Sequence, residues 1–588
     1  MEIFPRPRRL EQFGEDGAAA DTREATAQDS SVAPQGFVLE ITADAVTIRH
    51  RDDAGLRYAR LVLDQLRSGS AGNLPRLRIE DAPDFPVRGY MLDVSRDRVP
   101  TRETLECLVG QLALMRFNHL ELYTEHTFAY PGHEVVWQAA SPITAEDVRW
   151  LDALCQRHGI TLCANQNTFG HMARWLEHDA YRQRAETPDG FTTKHGIKLS
   201  ASTLAPTPEN ADFALGLCRE LLRHHSNPAI NIGCDETFEL GRGHSAKAVA
   251  ERGKSRVFME HLSRLLEGLH ADGHPVRFWG DMLRGHPELV SELPAGDNTA
   301  LAWHYEAPSA DASIPESMQA VLAEIGIEMS EELMRGFSGH VQAFAETGMP
   351  FWVCPGTSTW NTLIGRLPNA RGNLLDAAET GVASGAGGYL ITDWGDNGHM
   401  QPPSISLPPL AYGAAVSWCC ETNRDVDPAP FLDRFIFGDG AAVIANVITR
   451  LGHLYDQTGK VGFNGSPLFT ELTGGGLLGG LGEASEDGVH GVIAELDACR
   501  SELEAAQPGC DDSEVVIREL RQAARLARHG AFRIARAAGF ERPGDDALAR
   551  DLDEAVAEQR ACWLLRSRPG GLEDSVARLT KAAADYAG

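Results

Sequence analysis

From Val87 to about Thr422 the chain alternates short apolar runs with longer stretches in which apolar residues recur at helical spacing. That alternation is the sequence form of repeated βαβ units. Eight apolar runs read as strands, over residues 88–94, 119–123, 160–165, 229–233, 276–279, 299–303, 351–354 and 388–391. Helical patterns separate most of them, for example at 102–115, 145–158, 208–225, 245–272 and 331–347. Eight parallel strands with intervening helices predict an α/β protein built on a (β/α)8 TIM barrel over residues 86–422, with chemistry on the loops that follow the strands.

Ahead of the barrel, residues 1–85 read as a small α/β domain. Residues 37–41 and 45–49 alternate like paired strands, and Leu56, Ala59, Leu63 and Leu66 mark a helix. Residues 14–35, rich in Ala, Asp, Ser and Thr, are expected to form a mobile loop. Residues 423–588 carry little strand signal and two long helical patterns, 513–538 and 545–566, so an α-helical C-terminal region is expected. The Gly-rich stretch 474–482 lacks the Lys-Ser/Thr of a phosphate loop and reads as a flexible connection.

Composition narrows the partners. The chain has 588 residues, 43% of them hydrophobic, and a net charge of −29. So acidic a surface argues against nucleic acid or an anionic membrane as the main partner. No apolar run approaches the roughly 18 residues of a spanning helix, and the N-terminus lacks the apolar core of a secretory signal. Eleven scattered cysteines without a metal-binding spacing fit buried free thiols in a reducing compartment, and a cytoplasmic location is expected. Nothing in the sequence calls for a metal or a cofactor, and the oligomeric state is not encoded in any pattern.

The candidate chemistry lies at the strand ends. Strand one begins with Arg88 and runs to Asp93; strand two leads into Glu125-His126; strand three is followed by Gly170-His171. Strand four delivers Asp235-Glu236. Strands five and six deliver Trp279-Gly-Asp281 and Trp303-His-Tyr305; strands seven and eight lead to Trp360 and to Trp394-Gly-Asp396. Four of the ten tryptophans fall at these ends. Indole faces beside carboxylates and amides suit a sugar, whose C–H faces stack on rings while its hydroxyls are gripped by polar groups. Two carboxyl groups held close repel each other's charge, so one can stay protonated as an acid while the other stays anionic. Taken one at a time, each residue has a plainer reading: the acid pair at a helix N-terminus, Asp93 and Asp281 as caps, the tryptophans as core.

Three motifs taken together, Arg88-Gly-Tyr-Met-Leu-Asp-Val-Ser-Arg96, Phe169-Gly-His-Met172 and Ile232-Gly-Cys-Asp-Glu236, resemble the β-N-acetylhexosaminidases of glycoside hydrolase family 20. The closest resemblance is to the intracellular hexosaminidase D-like branch, over about residues 36–425. It implies a (β/α)8 barrel that removes terminal β-linked GlcNAc or GalNAc with retention, the substrate's own 2-acetamido oxygen acting as nucleophile. By the same resemblance Glu236 is the general acid and base, and Asp235 orients the acetamido group. His171 and Glu125 support the acid, and Arg88 and Asp396 hold hydroxyls. Trp279, Trp303, Trp360 and Trp394 line the pocket, and Tyr305 stands in for an absent tyrosine after strand seven. The implied partner is an N-acetylhexosamine-terminated oligosaccharide or glycoside. Two alternatives stay open: a β-glycosidase acting on plain hexosides with a direct nucleophile, and a sugar-binding barrel without activity.

Overall fold

The computed structural model describes residues 3–70, 72–96, 98–194, 196–309, 334–475 and 480–586. The first residues of the expected 331–347 helix and the middle of the Gly-rich 474–482 stretch lie outside them.

The N-terminal module is a five-stranded sheet of β1 (Arg9–Gly14), β2 (Ala25–Gln28), β3 (Phe37–Ile41), β4 (Val46–His50) and β5 (Arg76–Asp81), in the order β1-β5-β3-β4-β2. Alternation in β3 and β4 turns Phe37, Leu39 and Ile48 onto the helix Asp53–Gly69, where Ala59, Val62, Leu63 and Leu66 meet them. Asp52 caps that helix, accepting from the Gly55 N–H at 2.9 Å. The 14–35 segment is not simply a loop. It contributes β2, which pairs in parallel with β4 although all four of its side chains are exposed. An edge strand needs only backbone partners, so side-chain pattern did not reveal it. The outer strand β1 escaped for the same reason.

A two-stranded hairpin, β9 (Phe191–Thr192) with β10 (Lys198–Leu199), decorates the barrel. The barrel itself is closed by eight parallel strands: β6 (Val87–Asp93), β7 (His119–Tyr123), β8 (Thr161–Asn165), β11 (Ile230–Asn231), β12 (Val276–Trp279), β13 (Asn298–Trp303), β14 (Phe351–Cys354) and β15 (Gly388–Asp393). These are the eight runs expected from the sequence, within a few residues at each end. The buried, nearly continuous apolar runs of parallel strands make them easy to read. Helices such as Arg102–Leu114, Ala145–His158 and Pro208–Leu222 cover the outside.

Inside the barrel, below the mouth, lies a polar layer. Glu121 Oε1 meets His119 Nε2 at 2.8 Å, and Oε2 accepts from Asn165 Nδ2 (2.9 Å) and Asn231 Nδ2 (3.0 Å). Every group is buried, so these partners are what make the charge tolerable. Asn231 Oδ1 then accepts the Gly233 N–H at 3.1 Å, which props the turn carrying the acid pair.

Arg88 belongs to the opposite end. At the start of β6 it is 1% exposed, with its guanidinium donating to Phe85 O (2.8 Å), Arg116 O (3.0 and 3.1 Å), Gln35 Oε1 (3.1 Å) and Tyr58 Oη (2.8 Å). A strand rises about 3.3 Å per residue, so Arg88 sits about 17 Å below Asp93 at the mouth. The expected hydroxyl-binding role does not fall to Arg88, which rivets the N-terminal module to the barrel floor.

The C-terminal region is helical, with long helices at Ser513–Ala538 and Asp545–Arg566 as expected, joined by Glu486–Glu502 and Leu572–Lys581 among others. It docks along the barrel. Arg568 pairs with Asp147 at 2.9 Å, and Arg566 O accepts from the Thr101 N–H at 3.0 Å. Among the described residues no helix is long and apolar enough to cross a membrane. All eleven cysteines are free thiols.

Candidate active site

The turn after β11 sets the geometry. Gly233, Cys234 and Glu236 all have positive φ (69°, 72° and 50°), so the chain coils tightly and projects neighbouring carboxylates into one space. Left-handed backbone at non-glycine residues is costly and concentrates at functional sites. At 233 the glycine is also required sterically: a Cβ would stand 1.9 Å from Asn167 Oδ1. Cys234 is fully buried, with its thiol 3.2 Å from Thr168 Oγ1.

The turn after β8 meets it. A Cβ on Gly170 would stand 2.2 Å from the carbonyl oxygen of Asp235, so the two turns touch backbone to backbone. His171, itself at φ 56°, is thereby placed over both acids. Its Nε2 lies 3.2 Å from Asp235 Oδ2 and 3.4 Å from Glu236 Oε2. Burial alone would lower the imidazole pKa, but these two carboxylates outweigh it and hold His171 well above its ordinary value. On the far side of the ring, Nδ1 is 3.4 Å from Arg96 Nη2 and 4.0 Å from Glu125 Oε1.

Arg96 occupies the place expected for Arg88. It pairs with Asp93 (3.0 Å) and Glu125 (3.2 Å), and its guanidinium lies over the rings of Tyr123 (4.8 Å) and Trp394 (5.1 Å). Glu125 also accepts from Tyr123 Oη at 3.0 Å. Burial raises its pKa, with Arg96 and His171 opposing the rise. Asp396 is held above its usual range by burial, against the pull of Arg96, with Asp93 and Glu236 adding repulsion. His126, by contrast, is a buried imidazole pushed down to about 3 by burial, unsuited to carrying a proton near neutrality.

Asp281, absent from the expected site residues, lies under the pair. Its Oδ2 accepts the Glu236 N–H at 3.2 Å, and burial together with the nearby Asp235 charge raises its pKa to about 7. Its position in Trp279-Gly-Asp281 was a visible signal, masked by the helix-cap reading.

Aromatic rings cluster beside the acids at the mouth. Trp303 stacks on Tyr305 (5.1 Å between centroids), Tyr305 meets Trp360 edge-on (5.0 Å), and Trp394 contacts both Tyr123 (4.6 Å) and Trp279 (6.0 Å). The indole N–H groups of Trp279 and Trp303 are buried and have no hydrogen-bond acceptor among the described residues. Unspent donors of this kind suit a polar ligand that enters between the rings. Of the expected site residues, Glu125, His171, Asp235, Glu236, Trp279, Trp303, Tyr305, Trp360, Trp394 and Asp396 gather at the mouth; Arg88 does not.

Ligand atoms of His171, Asp235 and Glu236 lie within 4.8 Å of one another, close enough to share a divalent cation. No spacing rule could have found this set, because two loops supply it. Arg96, against the same histidine, already supplies positive charge to the cluster.

Comparison with known proteins agrees with this geometry. The family model for the glycosyl hydrolase family 20 catalytic domain matches residues 85–326. A β-N-acetylhexosaminidase of Cellulomonas fimi is 24% identical over 462 residues, spanning 72% of this chain and 84% of the relative. Hexosaminidase D of Bos taurus is 22% identical over 179 residues, 29% of this chain and 49% of the relative. A crystal structure of a β-N-acetylhexosaminidase superposes with a TM-score of 0.56 at 18% identity, covering 74% of this chain and 95% of the other. The match to the family 20 catalytic-domain model falls on the barrel, and the protein is a glycoside hydrolase.

Proposed function

We propose that the protein is an exo-acting β-N-acetylhexosaminidase that removes terminal β-linked GlcNAc or GalNAc with retention, by substrate-assisted catalysis. The observation that carries this reading is the shared contact of Asp235 and Glu236 with one nitrogen of His171 inside an aromatic-walled mouth. Their ligand oxygens lie within 4.8 Å of each other, nearer than the roughly 6.5–9.5 Å between carboxyl groups of inverting enzymes, which supports retention.

In this reading Glu236 protonates the glycosidic oxygen as the acetamido oxygen of the substrate attacks the anomeric carbon and the bond to the leaving group breaks. Asp235 accepts from the acetamido N–H and balances the positive charge on the resulting oxazolinium ring. Water then opens the ring, giving its proton to Glu236. His171 steadies both carboxylates, Arg96 and Asp396 hold ring hydroxyls, and Tyr305 offers its phenol to the acetamido carbonyl. The tryptophans hold the nucleophilic oxygen near its target and keep water out. A place in the hexosaminidase D-like branch and a cytoplasmic location belong to the same proposal.

The test is hydrolysis of aryl β-GlcNAc, β-GalNAc and β-glucoside, with and without EDTA. Turnover of the acetamido sugars alone, insensitive to chelation, is expected. Equal turnover of the glucoside would instead make Asp235 a direct nucleophile, and loss of activity with EDTA would point to a cation on His171, Asp235 and Glu236.

A further inference from the structure

One residue of the C-terminal region reaches the mouth of the barrel. Asn464 lies well beyond the helices Pro403–Trp418 and Cys420–Asn423 that follow β15, outside the segment matched to the family, and is exposed at the rim. Its side-chain Oδ1 accepts from the indole N–H of Trp360 at 2.7 Å. Its backbone N–H donates to Glu306 Oε1 at 2.8 Å, and its carbonyl accepts from Asn361 Nδ2 at 3.0 Å. Three polar groups of one residue thus tie together the loops that follow β13 and β14. Each partner is anchored in turn. Glu306 forms a bidentate pair with Arg366, and Asn361 Oδ1 accepts from Asn397 Nδ2 (2.9 Å) on the loop after β15.

The choice of amino acid follows from the backbone. Asn464 has φ 49°, in the left-handed region that asparagine tolerates better than other side-chain-bearing residues. Glycine would keep that turn but offer no acceptor. An exposed hydrogen bond alone is weak, because water competes for both partners. Here the two backbone bonds fix where the amide stands, so it meets the indole without a search through rotamers.

We propose that Asn464 is a positioning residue for the glycosidase reaction: it fixes the plane of Trp360, so that a residue from outside the barrel sets one wall of the sugar pocket. The inference rests on the catalytic reading above, since its readout is turnover. A wall displaced by a fraction of an ångström matters because near-attack geometry is steep in distance.

The experiment is a double-mutant cycle on the full-length chain with aryl β-GlcNAc. Asn464→Gly is expected to lower kcat/KM on the order of tenfold with unchanged Tm. Asn464→Asp, which keeps an oxygen acceptor, is expected to recover most of that loss. Trp360→Phe removes the donor, and adding Asn464→Gly to it should cost nothing more, because the interaction is already gone. Additive losses, or kinetic constants unchanged in Asn464→Gly, overturn the proposal; so does a variant that loses only Tm. A wild type inactive on every aryl glycoside would overturn the catalytic reading itself, and this role with it.

Discussion

Asp281 Oδ2 accepts the backbone N–H of Glu236 at 3.2 Å, which sets a third carboxyl group beneath the acid pair and fixes the strained turn from below. Burial and the Asp235 charge make ionisation of Asp281 unfavourable, so it titrates near 7 rather than near 4.

The sign of the resulting stability effect is fixed. Between pH 4 and 7 the folded protein holds a proton on Asp281 that the unfolded chain has released, so this group favours folding least above pH 7. Asp281→Asn keeps the acceptor for the Glu236 N–H and removes the charge. Its Tm is expected to rise relative to wild type at pH 8 by more than at pH 4, corresponding to a few kcal/mol at most. Equal Tm differences at both pH values would refute the assignment.

His171 behaves oppositely. Its raised pKa means that its stabilising contribution is full below about pH 6.5 and fades as pH climbs through the folded-state value. His171→Gln should therefore lower Tm most at pH 6 and progressively less in alkaline buffer. Thermal melts across that range decide it.

Glu236→Gln removes the transferable proton while leaving an amide of nearly the same shape. A fall of at least about a hundredfold in kcat on aryl β-GlcNAc is expected, with Tm close to wild type. A drop smaller than tenfold would mean that another group protonates the leaving oxygen.

The two arginines of the first motif should separate cleanly. Arg96→Ala is expected to lower kcat/KM by about two orders of magnitude, since it removes the counter-charge to Glu125 and Asp93 and, in the proposed function, a grip on substrate. Arg88→Met should leave KM unchanged but lower stability by about 3 kcal/mol, because buried carbonyls at Phe85 and Arg116 lose their donor. Urea unfolding and steady-state kinetics on both variants provide the contrast.

That pair also shows what was legible and what was not. The strand from 88 to 94 was found, and the principle that barrel chemistry sits at C-terminal strand ends already favoured the arginine at 96 over the one at 88. The resemblance of the whole motif drew attention to its first residue instead. The eight barrel strands announced themselves as buried apolar runs, and the acid pair as their abrupt end. The edge strands β1 and β2 could not, because exposed strands carry no pattern of burial. Asp281 is legible in sequence, but its place ahead of a helix reads equally well as a cap. Asn464 was out of reach, since nothing local marks a residue whose partners lie about a hundred positions away.

Gly170 has a consequence for anyone reshaping this mouth. Because the Asp235 carbonyl fills the volume that any side chain at 170 would claim, a substitution at 170 would push directly on the turn that carries the acid pair. Libraries that randomise either loop alone will return mostly inactive clones, whereas diversity placed on the outlying rim can change leaving-group tolerance without disturbing how the proton is delivered.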